Sequence, residues 1–450
     1  MAEEKTKQMN KDLGSFRDPA SQVYVKPQKV AREIRKSYYP EYDQLMKSGL
    51  YQELVDKGYL IPHRQCYRGD DYLVILPDLV PFITYPYEWS FAQLQEAAFV
   101  TLETNRIAMN YGMMLKDASA YNIQMVDNRM CLIDTCSFMV YHPGMPWGSY
   151  PQFLRNFLSP MVLIKWDNPY TALKLLQTHI DGIPVPMAAS RMPLSTRFSG
   201  GMWAHIFSQS LKFAVDPKRS VKMNKVVLTS LLNNLYSFVS TMKYKPIAGE
   251  FLKYSELGSY SQESLTSKLK QVNRMIQLCP GKSYLDLGSN TGVYSKMAAQ
   301  YGNNVIAIDA NHDCIHSLYY SQGVLPLVVD ICQPSPGIGW ANTERKSFWD
   351  RVGKVDCIMA LAILHHLCLK NNVPLDMVAD LLKDHTQHLI IEWVPPDDPK
   401  AQQIMGTKKV PVYDELTFLD AFDRWFRVVE TAKIQGSMRV LYYMERKDTW

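Results

Sequence analysis

Ten consecutive residues, Ser283-Tyr284-Leu285-Asp286-Leu287-Gly288-Ser289-Asn290-Thr291-Gly292, place a short apolar run, a carboxylate and a glycine-punctuated turn in succession. That order of residue types suits a nucleotide-like ligand. Gly288 lets backbone pass close to the ligand, Asn290 tolerates left-handed geometry, and Gly292 lets the helix that begins at Val293 pack tightly against its strand. Two more carboxylates close apolar runs downstream: Asp309 after Val305-Ile306-Ala307-Ile308, and Asp330 after Leu325-Pro326-Leu327-Val328-Val329. On neighbouring parallel strands these acids share one edge, where Asp309 can accept hydrogen bonds from ribose hydroxyls and Asp330 can meet the exocyclic amine of an adenine. A strand-end cap explains any one of them, but three in register argue against coincidence. Two further runs follow. Val355–Leu361 leads into Ala362-Ile363-Leu364-His365-His366-Leu367, and His388–Val394 precedes Pro395-Pro396-Asp397-Asp398.

The elements that would position these residues alternate strand and helix beyond Leu265, the pattern of a mainly parallel sheet. Earlier in the chain the pattern differs. From about Ser15 to Tyr87 it is short and β-like, with Val23–Val25 and Tyr72–Leu76 as strands around a helical piece near Tyr42–Lys57. Phe91, Leu94, Ala98 and Leu102 recur at helical spacing and predict a long helix over Phe91–Asn110, and residues 150–245 read as mostly helical with proline breaks. The expected organisation is a disordered tail over 1–14, a first domain over 15–243 that is helical in its second half, a linker over 244–265, and an α/β domain over 266–450.

A glycine turn by itself does not separate NAD, FAD and S-adenosylmethionine (SAM) sites. The order of acids does. A dinucleotide fold brings three glycines within six residues; here the middle one is Asn290, and Asp286 precedes the turn. A carboxylate there repels a pyrophosphate and suits the ammonium of a methionine moiety. Residues 281–398 resemble the class I SAM-dependent methyltransferases. The resemblance implies a Rossmann-like seven-stranded sheet with helices on both faces and SAM as cofactor. It further implies that Asp286, Gly288, Ser289, Asn290 and Gly292 line the methionine end, Asp309 the ribose, Asp330 with Ile331 the adenine, and backbone near Ala360 and Leu361 the sulfonium.

Methyl transfer from a sulfonium is an in-line displacement, so positioning supplies much of the acceleration and a base is needed only if the acceptor must lose a proton. His365 and His366 sit where the fourth strand's loop meets the cofactor, and a similar His-His pair occurs in small-molecule methyltransferases. One is a candidate general base, with packing at a helix start as the alternative; Glu392 is a further candidate. The Asp167-Asn168-Pro169-Tyr170 run mimics an amine-methylating motif but lies outside this domain.

A second constellation spans Leu115–Phe138: Asp117, Asn122 five residues on, and Asp134 after the apolar Met130-Cys131-Leu132-Ile133. The spacing resembles kinases and aminoglycoside-phosphotransferase-like enzymes. There an aspartate positions the acceptor hydroxyl, an asparagine binds metal and a second aspartate chelates magnesium. The departures are substantial. Lys116 precedes Asp117 where a His-Arg or His-Gly pair is expected, Thr135-Cys136 replaces Phe-Gly, no glycine-rich phosphate loop appears among residues 15–40, and Lys26, Lys29 and Lys36 offer no clear phosphate-binding lysine. The expectation is a degenerate α+β kinase-like domain with a vestigial nucleotide and magnesium site at Asp117, Asn122 and Asp134, which recognises an acceptor without phosphoryl transfer.

Composition bounds the rest. The 450 residues allow two or three domains, and 47% hydrophobic with 21% charged residues reads as a soluble globular chain. The polar start shows no secretory signal, and the longest apolar run, Tyr72–Tyr87, is broken by prolines and an aspartate, so no membrane span and a cytoplasmic location are expected. The eight cysteines contain no CxxC pair, which suits a reducing compartment, and no metal site is expected. Net charge is +5. Residues 201–250 hold seven Lys/Arg (Lys212, Lys218, Arg219, Lys222, Lys225, Lys243, Lys245) against Asp216 and Glu250, which reads as a solvated helical face, and nucleic acid is not expected as a partner.

Taken together, Ser15–Pro19, Tyr85–Trp89, Leu115–Asn122, Asp286–Gly292 and Ile391–Asp398 resemble a bacterial family related to nodulation-associated methyltransferases, over nearly the whole length. The resemblance implies a two-domain enzyme methylating a small-molecule or glycan acceptor, with a hydroxyl as the expected target. The alternatives are a bifunctional kinase–methyltransferase with ATP and magnesium in the first domain, or a non-enzymatic module that senses SAM. The acceptor atom and the oligomeric state are left open, because oxygen, nitrogen and carbon methylation share one cofactor fold.

Overall fold

The computed structural model describes residues 9–212, 222–246, 261–407 and 412–448. The chain divides into two compact units, Met1–Lys245 with Gly337–Arg345, and Pro246–Pro336 with Lys346–Trp450.

The first unit opens with a five-stranded sheet of β1 (Asn10–Lys11), β2 (Ser21–Lys26), β3 (Lys29–Arg35), β4 (His63–Arg68) and β5 (Tyr72–Pro77), in the order β1-β2-β3-β5-β4. All of its pairings are antiparallel. β1 corrects part of the disordered tail expected over 1–14: Asn10 and Lys11 pair with Val25 and Tyr24, and the Asp12 side chain accepts from Gly14 N to start a short turn. Residues 1–8 of that tail lie outside the described residues. The helices Tyr39–Lys47 and Leu50–Asp56 connect β3 to β4.

A 20-residue helix, Phe91–Asn110, follows at the expected place. It is apolar on most sides and correspondingly buried, with Phe91, Leu94, Leu102 and Ala108 enclosed, so tertiary packing holds it more than amphipathic patterning does. Two hairpins come next. β6 (Met113–Leu115) pairs with β9 (Phe138–Val140), and β7 (Ile123–Val126) with β8 (Arg129–Leu132). Helices dominate the described residues from Tyr150 to Thr241, with the last, Lys225–Thr241, N-capped by Asn224. Lys222, Lys225, Lys243 and Lys245 are exposed there, in keeping with a solvated face, whereas Lys218 and Arg219 lie outside the described residues. Gly337–Arg345, which the linear reading leaves in the α/β domain, groups with this unit. An antiparallel bridge between Ile338 and Arg345 closes the segment, Glu344 accepts from Arg17, and the Arg345 guanidinium lies 4.2 Å from the Tyr121 ring centre.

The second unit begins with the helix Gln262–Leu278, capped by Ser261; of the expected linker, residues 247–260 lie outside the described residues. Seven strands follow: β10 (Ser283–Leu287), β11 (Asn304–Asp309), β12 (Val324–Val328), β13 (Val355–Ala360), β14 (Thr386–Trp393), β15 (Phe426–Lys433) and β16 (Val440–Arg446). Their order is β12-β11-β10-β13-β14-β16-β15. The first five are parallel, and β16 runs antiparallel between β14 and β15. This is the Rossmann-like seven-stranded methyltransferase sheet, reversing direction of strand order at β10. Its core packs Val272, Met275 and Ile276 of the first helix with Tyr284, Ala307, Met359, Ile390 and Leu441. Each large apolar side chain so enclosed contributes roughly 1.5–3 kcal/mol. Among the described residues no helix is long and apolar enough to cross a membrane, no cluster of three His, Cys, Asp or Glu could hold a metal ion, and all eight cysteines are free.

Candidate active site

Parallel pairing of β12, β11, β10 and β13 brings the ends of four strands to one edge: Asp286 stands beside Ala307 and Met359, and Asp309 beside Val328. The turn after β10 uses left-handed backbone at Gly288, Asn290 and Gly292, with φ of 71°, 51° and 75°. At Gly288 an added Cβ would meet Ile363 Cδ1 at 3.0 Å, and at Gly292 it would meet Leu318 Cδ1 at 2.3 Å. The left-handed backbone favours glycine at both positions, and an added side chain would also press on Ile363 of the neighbouring loop at the first and on Leu318 of the helix His312–Leu318 at the second.

Asp309 fastens this turn from the next strand. Its Oδ2 accepts from Asn290 N at 2.9 Å and its Oδ1 from Asn311 N at 2.7 Å, while Gly288 N and Ser289 N both donate to Ile308 O. Burial holds the Asp309 carboxyl above its usual range, against these two amides and with the Asp330 charge adding to the rise. Asp286 lies deeper, at 1% exposure, and accepts from Ser295 Oγ at the start of the following helix. Burial pushes it up to about 6; the hydrogen bond from Ser295 opposes the rise and the Asp309 charge adds to it. Asp330, half-buried, accepts from Cys332 N at 2.9 Å, with half-buried Ile331 beside it.

Ala360 and Leu361 are buried at the end of β13, and Ala362 beyond them takes a left-handed φ of 54°. A β-carbon in that region is strained, which marks the loop as held in place by its surroundings. The strain was invisible in the sequence, because alanine carries no signal for it. His365 follows at 0% exposure, and neither ring nitrogen has a hydrogen-bond partner among the described residues. Burial, with the His366 ring 4.4 Å away centre to centre, drives its pKa down to about 2, so it is neutral. His366 is half-buried, and burial lowers its pKa too.

Glu392 lies in a different setting from an accessible base. Its Oε2 is 2.6 Å from Lys268 Nζ and its Oε1 is 3.6 Å from Arg439 Nη1; Arg439 also donates to both oxygens of Asp398, at 2.7 and 2.9 Å. All four side chains are buried. This arrangement ties the first helix of the unit, the end of β14, the loop beyond it and the residue just before β16 into one balanced charge cluster. Sequence reading missed Lys268, although it occupies the buried stripe with Ser264, Val272 and Met275, a lysine in an apolar register. Arg439 offered no such local signal.

In the first unit Asp117, Asn122 and Asp134 do come together. Asp117 Oδ1 accepts from Gln152 Nε2 and Ser119 N, Asn122 Nδ2 donates to Ser137 Oγ at 3.3 Å, and Ser137 Oγ donates to Asp134 Oδ2 at 2.9 Å. Burial raises the Asp117 carboxyl, and the Asp134 charge adds to the rise. Sequence reasoning missed Arg32 of β3, which donates to Asp134 Oδ1.

The turn, the edge of acids and the sheet order fit a SAM site. Ser289 Oγ, buried and without a partner among the described residues, and the close approach at Gly288 are what a cofactor cradle would leave. Residues 266–360 match the family model for FtsJ-like methyltransferases. Over 464 aligned residues, 97% of this chain and 96% of the relative, the chain is 30% identical to nodulation protein NoeA of Rhizobium meliloti (strain 1021).

The chain belongs to the NoeA family.

Within the NoeA family this chain is thus a SAM-dependent methyltransferase, with the methyltransferase match in its second unit. Among solved structures it is similar to N-methyltransferase NodS from Bradyrhizobium japonicum WM9, at 13% identity over 42% of this chain and 99% of that one, with a TM-score of 0.31. It is also similar to the bifunctional kinase-methyltransferase WbdD, at 16% identity over 47% of this chain and 45% of that one, with a TM-score of 0.30.

Proposed function

We propose that this protein transfers the methyl group of SAM to a hydroxyl of a small-molecule or glycan acceptor, and that its kinase-like domain recognises that acceptor. The observation that carries the reading is the single carboxylate of Asp309, which braces Asn290 of the glycine turn from the neighbouring strand, at the edge where a ribose would lie. In this reading Gly288, Ser289, Asn290 and Gly292 surround the methionine end with Asp286 beneath them, Asp309 takes the ribose, and Asp330 with Ile331 takes the adenine.

The cofactor supplies an electrophilic methyl on a sulfonium. The protein's part is positional. The Ala360–Leu361 backbone would flank the sulfonium, and the strained Ala362 beyond it holds the loop that would orient the acceptor there. His366, neutral and half-buried, takes the proton released by the acceptor hydroxyl, while neutral His365 fixes the orientation of its ring. Glu392, committed to Lys268 and Arg439, acts as an anchor of the β14 loop rather than as a base.

Mass spectrometry of cell extracts incubated with pure protein and methyl-labelled SAM tests the reading. A labelled product is expected with the wild-type protein and is expected to be lost with Asp309→Ala. Failure of the pure protein to bind either SAM or S-adenosylhomocysteine in calorimetry would sink it.

A further inference from the structure

A kinase-like fold implies a magnesium-bound nucleotide at Asp117, Asn122 and Asp134, and the residues around Asp134 do not fit one. Three donors already engage the Asp134 carboxylate. Oδ1 accepts from the Arg32 guanidinium and from Cys136 N at 2.9 Å, and Oδ2 accepts from Ser137 Oγ at 2.9 Å. Arg32 reaches there from the middle of β3, between Val23 and Ile75 on the adjoining strands, and Ser21 Oγ, 3.1 Å from its Nη1, steadies it. Its side chain is 12% exposed and that of Asp134 10%, so the pair is shielded on both sides. Lys116, immediately before Asp117, is likewise engaged, 3.6 Å from Asp18 Oδ1 and 4.7 Å from the centre of the Tyr38 ring.

We infer that Arg32 is the resident cation of this carboxylate cluster, so that the kinase-like unit works without magnesium and without a magnesium-bound nucleotide. The chemistry is that of two cations competing for one seat. Arginine is charged at every accessible pH and offers a planar fork of donors matched to a carboxylate. Magnesium demands near-ideal octahedral oxygen ligation and sheds water reluctantly. To enter, it would have to displace Arg32 and leave a guanidinium buried without its counter-ion. Asn122, the second nominal ligand, turns its amide NH₂ to Ser137, and that hydroxyl donates its own hydrogen bond to Asp134. The chain of donors thus runs towards Asp134 from two sides, as it does around a carboxylate whose charge is met by protein alone. Asp117, held by Gln152 and Ser119 and close enough to feel the Asp134 charge, makes no bond to Arg32 and is the group suited to a ligand hydroxyl.

Manganese, a paramagnetic stand-in for magnesium, tests the inference on the full-length protein. The electron paramagnetic resonance signal of free Mn²⁺ is expected to be undiminished by wild-type protein, and fluorescent ATP is expected to show no Mg²⁺-dependent binding. Removal of the resident cation in Arg32→Met, or in Arg32→Gln should the first variant fail to fold, is expected to create Mn²⁺ uptake at least about tenfold stronger than any seen in wild type. Mn²⁺ uptake or Mg²⁺-dependent ATP binding by the wild-type protein would overturn the inference without recourse to any variant. A folded Arg32 variant that still takes up no Mn²⁺ would overturn the assignment of Arg32 as the occupant. SAM binding, measured on the same samples, belongs to the other unit, so its loss would count against the methyltransferase reading and not against this one.

Discussion

Lys268 Nζ stands 2.6 Å from Glu392 Oε2, with the two side chains 3% and 0% exposed. Burying two charges costs more than a surface pair does, and the arrangement persists only because Glu392 also faces Arg439, which in turn is held by Asp398. Burial lowers the Lys268 pKa, opposed chiefly by Glu392, so the lysine draws on that carboxylate to remain charged. Glu392→Leu is expected to destabilise the second unit by about 3–5 kcal/mol, because Lys268 loses the carboxylate paired with it in the interior while Arg439 keeps only Asp398. Lys268→Met added to it should restore part of the loss. Urea denaturation of the single and double variants checks this, and additive losses would contradict a shared cluster.

Asp286 links stability to pH through its raised pKa. Its neutral form is the favoured one when buried, so its contribution is fully present below the unfolded value near 4 and is lost as pH rises through about 6. Asp286→Asn should therefore stabilise the protein at pH 7.5 by about 2–3 kcal/mol, the equivalent of a shift of roughly two units. The same change should weaken SAM binding, since the carboxylate is the proposed partner of the methionine ammonium. Wild-type affinity should likewise fall as pH drops below about 6. Melting curves and calorimetry at pH 5 and 7.5 measure both effects.

His365 works in the opposite direction over an overlapping range. Its pKa is depressed to about 2, so the contribution of the neutral ring is present above the unfolded value near 6.5 and is lost as pH falls below it. Replacement by glutamine should flatten the acid side of the stability profile, whereas Asp286→Asn should steepen it. Identical profiles for the His365→Gln and wild-type proteins between pH 4 and 6.5 would show that the imidazole is not buried uncharged.

Asp309 holds two backbone amides and is the proposed ribose partner, so Asp309→Ala removes both functions at once. A loss of SAM affinity of at least about tenfold, or about 1.4 kcal/mol, is expected. Asp330→Ala should cost less, because Asp330 braces only Cys332 N in its own loop. Calorimetric titration with S-adenosylhomocysteine ranks the two, and an equal loss would remove the special place given to Asp309.

Glycine at position 292 combines a left-handed φ of 75° with contact to Leu318. Gly292→Ala should destabilise the second unit by more than about 1 kcal/mol, through backbone strain and the clash together. A thermal midpoint equal to wild type would show that the helix beginning at Val293 can shift to accept a methyl group.

Local pattern in the sequence determined much of this protein. Apolar runs ending in Asp286, Asp309 and Asp330 identified parallel strands and their shared edge, because strand periodicity and turn residues act over a few neighbours. The helix Phe91–Asn110 was legible for the same reason, as was the grouping of Asp117, Asn122 and Asp134 through a motif of fixed spacing. What only the tertiary structure decided are the partners of charges. Glu392 reads in sequence as a candidate base and in the fold as the counter-ion of Lys268, 124 positions before it, and of Arg439, just before a later strand. Asp134 reads as a metal ligand until Arg32 arrives from β3, 102 positions away. Hydrophobic period reports which face of an element is buried; it does not report which charge on a distant element will be enclosed against it, and burial makes that pairing decide the chemistry.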